Sequence, residues 1–378
     1  MQIIQIINEA QIGMGDYKKK NIIYVIENIA IRGGAERIIS DKANILSAQY
    51  GHKITIISIY EDCRPASYPL NKDIDVVRLN VPMAVKNSNI TTKIISRTAT
   101  LLKAAKRLNK AIKSINPDII FFTTTLSALL LPLCKTNARK IYESHSAKPF
   151  TPYNKLFLPM ELCVDCVLCL TEGDAKEYRH SRKVMVIPNF ISHPEKIVND
   201  YSVKKAIAVG RLEYEKGFDI LIECWKNIAK KHPDWHLDIY GEGSLSRELQ
   251  QQIYSSGLKD KVTLRGRCDN MMEKYTEYSL HLMPSRHEGL PMTLIEAQAC
   301  GLPSVTFNFK FGASDIIKDY HNGIIVEQGN VNIFVNAIIE MMDNEKMRME
   351  QGRKALENSR RFYAENIMPE WQKLIDGL

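Results

Sequence analysis

Short apolar runs rich in Ile and Val recur along almost the whole chain, each followed by a stretch with helical spacing. The runs are "NIIYVIENI" (21–29), "KITIISIY" (53–60), "DIDVVRL" (73–79), "DIIFFTTT" (118–125), "KIYESHS" (140–146), "CVLCLT" (166–171) and "KVMVIPNF" (183–190). A polar stretch at 192–204 interrupts the series. It restarts with "KAIAVGRL" (205–212), "WHLDIYGEG" (235–243), "VTLRGR" (262–267), "LHLMPS" (280–285), "LPSVTFN" (302–308) and "GIIVEQ" (323–328). Strands that are apolar at consecutive positions are covered on both faces, and such strands alternating with helices build parallel sheets. The pattern predicts an α/β chain of two doubly wound, Rossmann-like domains facing across a cleft, over 1–195 and 196–356. A final helical stretch (357–378) is expected to return to the first domain. Ligands of such sheets bind beyond the carboxyl ends of the strands. Residues 1–17 precede the first strand and are read as a disordered extension or an upstream start, since Met14 would also serve.

Composition narrows the class. The 378 residues are 45% hydrophobic and 25% charged, as expected for a soluble chain of two or three domains. The most apolar window, "IIFFTTTLSALLLPLC" (119–134), falls short of the ~20 residues of a membrane span and contains Pro132. The N-terminus lacks a secretory pattern, so the eight cysteines are read as free thiols of a cytoplasmic protein. Cys163, Cys166 and Cys169 have a spacing that suits a metal, but two of them fall in an apolar run, where cysteine packs as a small core residue.

Charge is uneven. Residues 1–200 carry 28 Lys and Arg against 18 Asp and Glu, a balance of +10, and the remainder balances at −2. From Asn80 to Pro117 there is no acid and there are eight bases: Lys86, Lys93, Arg97, Lys103, Lys106, Arg107, Lys110 and Lys113. Apolar residues interleave with them at helical spacing. A solvated face on a core-packed helix is the plain reading. The absence of any acid favours an anionic membrane surface or a lipid-linked diphosphate acceptor on the inner face of the cell membrane, with Lys103, Lys106, Arg107, Lys110 and Lys113 as contacts. Nucleic acid is not expected, because no aromatic interleaving accompanies the charge.

The densest chemistry lies in "MPSRHEGLPMTLIEAQACGLPS" (283–304). "LHLMPS" is a strand, and "PMTLIEAQAC" is a helix opened by Pro291 and stopped by Gly301 and Pro303. Gly289 and Leu290 then form a strand-to-helix turn, and the helix N-terminus is an anion site. Glu288 would repel an anion there, so it suits a hydroxyl-bearing group. Glu296 lies five residues past Pro291, roughly 7–8 Å along the helix, and suits hydroxyls elsewhere on the ligand. Hydroxyls, diphosphate and hydroxyls in that order describe a nucleoside-diphosphate sugar. Two solvated glutamates at a helix end remain the alternative. In "VGRLEYEKGFDILIECW" (209–225), Arg211 and Lys216 follow a strand and can neutralise a diphosphate without a metal. "IRGGAERII" (31–39) offers a Gly-Gly turn for close backbone approach. "GEGSLS" (241–246) lacks the third glycine of a dinucleotide fingerprint. The "DID" at 73–75 opens a strand instead of closing one, so it is not read as a metal motif.

"GGAER", "VGRLEYEKGFDILIE", "IYGEGSL", the 283–305 segment and "GASDIIKDYHNGIIV" stand in the order and spacing of the GT-B retaining glycosyltransferases of family 4. The similarity runs from about residue 21 to 340. The resemblance implies that Glu288 contacts the donor sugar and Glu296 the ribose hydroxyls, while Arg211 and Lys216 hold the diphosphate. It places the backbone at Gly34 and at Gly289, Leu290, Pro291 and Met292 against the donor, Gly266 and Arg267 beside the base, and His145 near the sugar or acceptor. The chain departs from the family at Gly312-Ala313, where a Gly-Pro is usual, and its acid there is Asp315. The implied reaction is a retaining, metal-independent transfer of a hexose or N-acetylhexosamine, without a cofactor, from a UDP-linked donor. The implied acceptor is a lipid-linked or growing surface polysaccharide. A soluble sugar-phosphate acceptor and a catalytically silent nucleotide-sugar-binding subunit are the competing readings. The silent subunit would be expected to have lost Glu288, Lys216 or His145.

Overall fold

A computed structural model describes residues 18–83, 90–152 and 154–378, apart from the side chains of Ile90 and Lys93. The expectations for residues 1–17, for Lys86 and for the side chain of Lys93 lie outside the described residues. The chain divides into two units, one of residues up to Pro188 together with Ile367–Leu378, the other Asn189–Asn366. The division thus falls a few residues before the expected boundary at 195.

Unit 1 contains a parallel sheet of seven strands: β1 (Asn21–Ile26), β2 (Lys53–Tyr60), β3 (Asp75–Val81), β4 (Ile119–Phe122), β5 (Arg139–Glu143), β6 (Cys166–Cys169) and β7 (Val184–Val186), in the order β3-β2-β1-β4-β5-β6-β7. Unit 2 contains six: β8 (Lys205–Val209), β9 (His236–Tyr240), β10 (Val262–Gly266), β11 (Leu280–Met283), β12 (Ser304–Asn308) and β13 (Ile324–Glu327), in the order β10-β9-β8-β11-β12-β13. Each apolar run forms a strand. The inner strands are the most apolar because helices cover both faces: Ile22, Ile23, Tyr24, Val25 and Ile26 of β1 are all fully buried. Full burial of such a side chain is worth about 1.5–3 kcal/mol, so a slipped register would be severely penalised.

The helices used below are α1 (Gly34–Ala48), α2 (Ile90–Ile115), α3 (Phe218–Lys231), α4 (Met292–Ala299), α5 (Glu345–Ser359) and α6 (Ala364–Asp376). No helix among the described residues is long and apolar enough to cross a membrane. The expected single helical stretch over 357–378 is broken. Tyr363 is extended, with φ −70° and ψ 150°, and forms a parallel bridge with Ile191. The bridge takes the N–H of Ile191 to Phe362 O (2.8 Å) and the N–H of Ala364 to Ile191 O (3.2 Å). Only α6 packs into unit 1, where Trp371 lies 5.7 Å from Phe121 between ring centroids and Gln372 Oε1 lies 2.8 Å from His52 Nε2.

Cys166 and Cys169 are both buried on β6, three residues apart, and so project from opposite faces of the sheet. They serve as core residues. Asp73 of the "DID" accepts a hydrogen bond from Ser47 Oγ, and Asp75 opens β3.

Candidate functional site

In unit 2 the strand order reverses between β8 and β11, and the loops leaving these two carboxyl ends are 210–217 and 284–291. A topological switch point of this kind is where a doubly wound sheet opens a crevice. The two loops are stitched together. Gly217 has φ +69°, and a Cβ there would lie 2.1 Å from the Pro284 carbonyl oxygen, so only glycine fits. Arg286 donates to both oxygens of Asp219 at 2.8 and 2.6 Å and to Tyr214 O at 2.7 Å, and its guanidinium stacks 4.0 Å from the Tyr214 ring centre. Burial raises the Asp219 pKa, but the Arg286 bonds outweigh it and hold the carboxyl below its ordinary range.

This clamp brings Lys216 to Glu288. The Lys216 ammonium donates to Glu288 Oε1 at 2.6 Å, and Ser285 Oγ donates to the same oxygen at 2.7 Å. Sequence reasoning assigned Lys216 to a diphosphate and Glu288 to a sugar, and did not foresee that they pair with each other. It also missed Tyr214, Gly217, Asp219, Ser285 and Arg286. Their only signal was adjacency to the chosen residues: Tyr214 and Asp219 meet Arg286 across 72 and 67 positions, and Ser285 meets Glu288 across three. Arg211 stands 71% exposed and pairs with Glu215 at 2.6 Å.

Gly289, Leu290 and Pro291 form the turn into α4, and Pro291 is the N-cap residue, so the helix begins at Met292, one position later than the sequence suggested. Gly312 supports that turn from behind: its φ is +98°, and a Cβ would lie 2.8 Å from both Gly289 O and Pro291 Cδ. The departure from the family pattern therefore keeps the glycine that packing requires. Asp315 turns back to accept the N–H of Gly312 at 3.1 Å. Glu296 is only 5% exposed on α4. Gly266, with φ +68°, accepts the N–H of Gly241 at 2.8 Å, and Arg267 pairs with Asp269 at 3.1 Å. The glycines of "GEGSLS" have a packing role, since a Cβ on Gly241 or Gly243 would strike the carbonyl of Gly210 or Leu212.

In unit 1 the order reverses between β1 and β4. Gly34 opens α1 beyond β1, and a Cβ there would meet nothing within 4 Å. His145 follows β5 by two residues, with Nε2 3.1 Å from Glu143 Oε1. The charged face of α2 is smaller than expected. Lys103, Lys106, Lys110 and Lys113 are exposed, but Arg107 is half-buried and donates to Leu79 O (2.5 Å) and Asn80 O (2.6 Å), tying α2 to β3. Among the described residues, no three His, Cys, Asp or Glu side chains come together as a metal set.

Residues 190–358 match the model of the glycosyl transferases group 1 family. The chain is 28% identical to an uncharacterized glycosyltransferase of Haemophilus influenzae, over 94% of this chain and 100% of the relative. It is 27% identical to the amylovoran biosynthesis glycosyltransferase AmsD of Erwinia amylovora, over 94% and 99%. It is also 27% identical, over 91% and 95%, to an α-1,4-N-acetyl-D-galactosaminyltransferase of Campylobacter jejuni whose name places its acceptor saccharide on PP-undecaprenol. Among solved structures, sucrose-phosphate synthase of Thermosynechococcus elongatus superposes with a TM-score of 0.80 at 17% identity, over 94% of this chain and 98% of that one. HepE of Anabaena, solved with UDP and glucose, gives 0.75 at 16%, over 95% and 100%. Two parallel, doubly wound sheets and these neighbours make the fold GT-B, and the second unit is similar to the glycosyl transferases group 1.

Proposed function

We propose that the chain transfers a hexose or N-acetylhexosamine from a UDP-linked donor, with retention and without a divalent metal, to a lipid-linked or growing polysaccharide. The observation that carries this reading is the Lys216–Glu288 pair at the switch point of unit 2, beside Arg211 and the start of α4. A donor diphosphate competes for the Lys216 ammonium, and the released Glu288 accepts from sugar hydroxyls while Ser285 still holds it. Arg211 reaches the diphosphate by giving up its exposed pair with Glu215, at little cost because surface pairs are weak. The acceptor oxygen attacks the anomeric carbon on the face from which the diphosphate departs. The carbon–phosphate-oxygen bond breaks as the new glycosidic bond forms, and the acceptor proton passes to the departing phosphate oxygen. Catalysis is by positioning and charge stabilisation. Glu296, nearly buried, closes the ribose end, with Gly266 and Arg267 at the base. Work at the inner membrane face is supported by the four exposed lysines of α2 and by Ile94, Ile95 and Leu102 on the same helix, which are 60%, 64% and 58% exposed. The undecaprenol-linked acceptor named for one relative and the amylovoran biosynthesis named for another support the acceptor class.

The test is a screen of UDP- and GDP-sugars for thermal stabilisation and turnover, with EDTA present and absent. Stabilisation by UDP-sugars and EDTA-insensitive transfer are expected. Glu288→Ala should lower turnover by about 100-fold or more, in the range found when one transition-state contact is removed. Undiminished transfer by that variant, or transfer abolished by EDTA, would defeat the proposal.

A further inference from the structure

Unit 1 holds a buried cluster of charge that donor binding does not explain. Lys42 on α1 is fully buried, and its ammonium donates to Glu143 Oε1 at the end of β5. The same ammonium stands 3.6 Å from a ring centre of Trp371 on α6 and 5.5 Å from that of Tyr24 on β1. Burial acts against a lysine's charge, and here a carboxylate and an aromatic face offset it. An apolar side chain at position 42 would cover the sheet without that penalty, and buried ion pairs are often no more stabilising than apolar replacements. Packing therefore gives no reason for Lys42 and Glu143.

Their surroundings give one. Glu143 Oε1 also lies 3.1 Å from His145 Nε2, off the hydrogen-bond direction. His145 Nε2 and Glu143 Oε2 are both buried without a hydrogen-bond partner among the described residues. The two adjoining buried orphans are of complementary type, a ring N–H and a carboxylate. Burial raises the Glu143 pKa, and Lys42 and His145 together outweigh it and bring it down to about 2. The groups facing Glu143 are Lys42 from α1, Tyr24 from β1 and His145 beyond its own strand, with Trp371 closing the side from α6.

We propose that Lys42 and Glu143 are positioning residues for His145. Lys42 keeps Glu143 a carboxylate, Glu143 takes the Nε2–H of the imidazole, and Nδ1 is left as the nitrogen that meets a hydroxyl of the sugar or acceptor. The inference rests on the transferase reading only for the expectation that His145 lies near the sugar or acceptor. Trp371 makes the C-terminal helix part of the device, because its ring keeps water from the Lys42 ammonium.

The test is NMR of histidine-labelled full-length chain, with the His145 signal assigned by its loss in His145→Gln, followed from about pH 5 to 9. In the unsubstituted chain His145 is expected as the Nε2–H tautomer. Glu143→Gln, which removes the carboxylate and keeps the cation, should lower the His145 midpoint by about one pH unit or more; Lys42→Met, which lets Glu143 take up a proton in competition with His145, should also move it from that of the unsubstituted chain. The double variant Lys42→Met/Glu143→Gln should recover the melting temperature yet keep kcat down about ten-fold or more, with the donor KM changed less than about two-fold. The proposal is overturned if both single variants titrate at His145 as the unsubstituted chain does, or if the double variant recovers full kcat. Should one single variant fail to fold, the other decides alone. Full transfer by His145→Gln would remove His145 from the reaction and leave the titration result standing, so the two failures are told apart.

Discussion

Lys42–Glu143 in unit 1 and Lys216–Glu288 in unit 2 join the same two residue types at hydrogen-bond distance near the carboxyl ends of strands. In the first pair both side chains are 1% exposed, sealed by Tyr24 and Trp371. In the second they are 16% and 11% exposed, and Glu288 keeps a second donor in Ser285. In the sealed pair water cannot replace either partner, so Lys42 depends on Glu143 for its charge and Glu143 on Lys42 and His145. A pair reached by solvent can exchange one partner for water or an incoming anion. The difference separates a fixed element from one fit to open for a ligand.

The largest effect that would break this comparison is on stability. Lys42→Ala leaves a buried carboxylate with His145 as its one remaining cationic neighbour among the described residues and should destabilise by about 3–5 kcal/mol. Lys216→Ala should cost about 1 kcal/mol or less, because its partner can be solvated and remains bonded to Ser285. Urea unfolding, with amide hydrogen exchange to separate the two units, measures both. Equal losses would mean that burial does not distinguish the pairs.

Two glycines sharpen the same contrast at a smaller scale. Gly217 has φ +69° and a carbonyl 2.1 Å from where its Cβ would be, so Gly217→Ala must push the 284–291 loop away. A loss of about 1–3 kcal/mol and a weaker donor site are expected. Gly34 has open space at its Cβ position, so Gly34→Ala should leave stability within about 0.5 kcal/mol and act only on ligand affinity. Thermal melts with and without UDP separate the outcomes. A stability loss at Gly34 as large as at Gly217 would show that this glycine too is there for packing.

The inner strands were legible because a strand covered on both faces leaves a nearly unbroken apolar run, as at "IIFF" and "CVLC", and the partly exposed edge strands were legible from their place in the strand–helix alternation. The loop residues Arg211, Lys216 and Glu288 were legible because they cluster at strand ends. What pairs across the fold was not. The Arg286–Asp219 clamp joins residues 67 positions apart, and Lys42 meets Glu143 across 101. Lys42 falls on an α1 face otherwise made of Ile38, Ile39 and Leu46, where a lysine reads as solvated until the strand opposite is known. The break before α6 was hidden for a related reason: Tyr363 leaves the helix to pair with Ile191, a contact that local spacing does not encode.

The last effect, read over the narrow range from pH 7 to 5.5, concerns acid. His281 on β11 is fully buried with Nδ1 3.1 Å from Ser304 Oγ, and burial lowers its pKa to about 3. The unfolded chain, with an ordinary value near 6.5, binds the proton first as pH falls, so unit 2 loses stability between about pH 6.5 and 3. The slope from this group approaches about 1.4 kcal/mol per pH unit. In unit 1 Asp41 works the other way. Burial raises its pKa to about 6, and Arg37 offsets part of that; the folded chain then takes up the proton first, and stability rises as pH falls from about 6 towards the ordinary carboxyl value. His52 in the same unit shares the sign of His281, because burial lowers its pKa, though its bond to Gln372 opposes the shift. Glu143, held at about 2, contributes a loss only below the ordinary glutamate value. Amide exchange at pH 7 and 5.5 should therefore show unit 2 weakening more than unit 1, and His281→Leu should abolish most of that excess. If the excess survives the substitution, the acid sensitivity of unit 2 lies elsewhere, and the buried histidine is silent in the folding equilibrium.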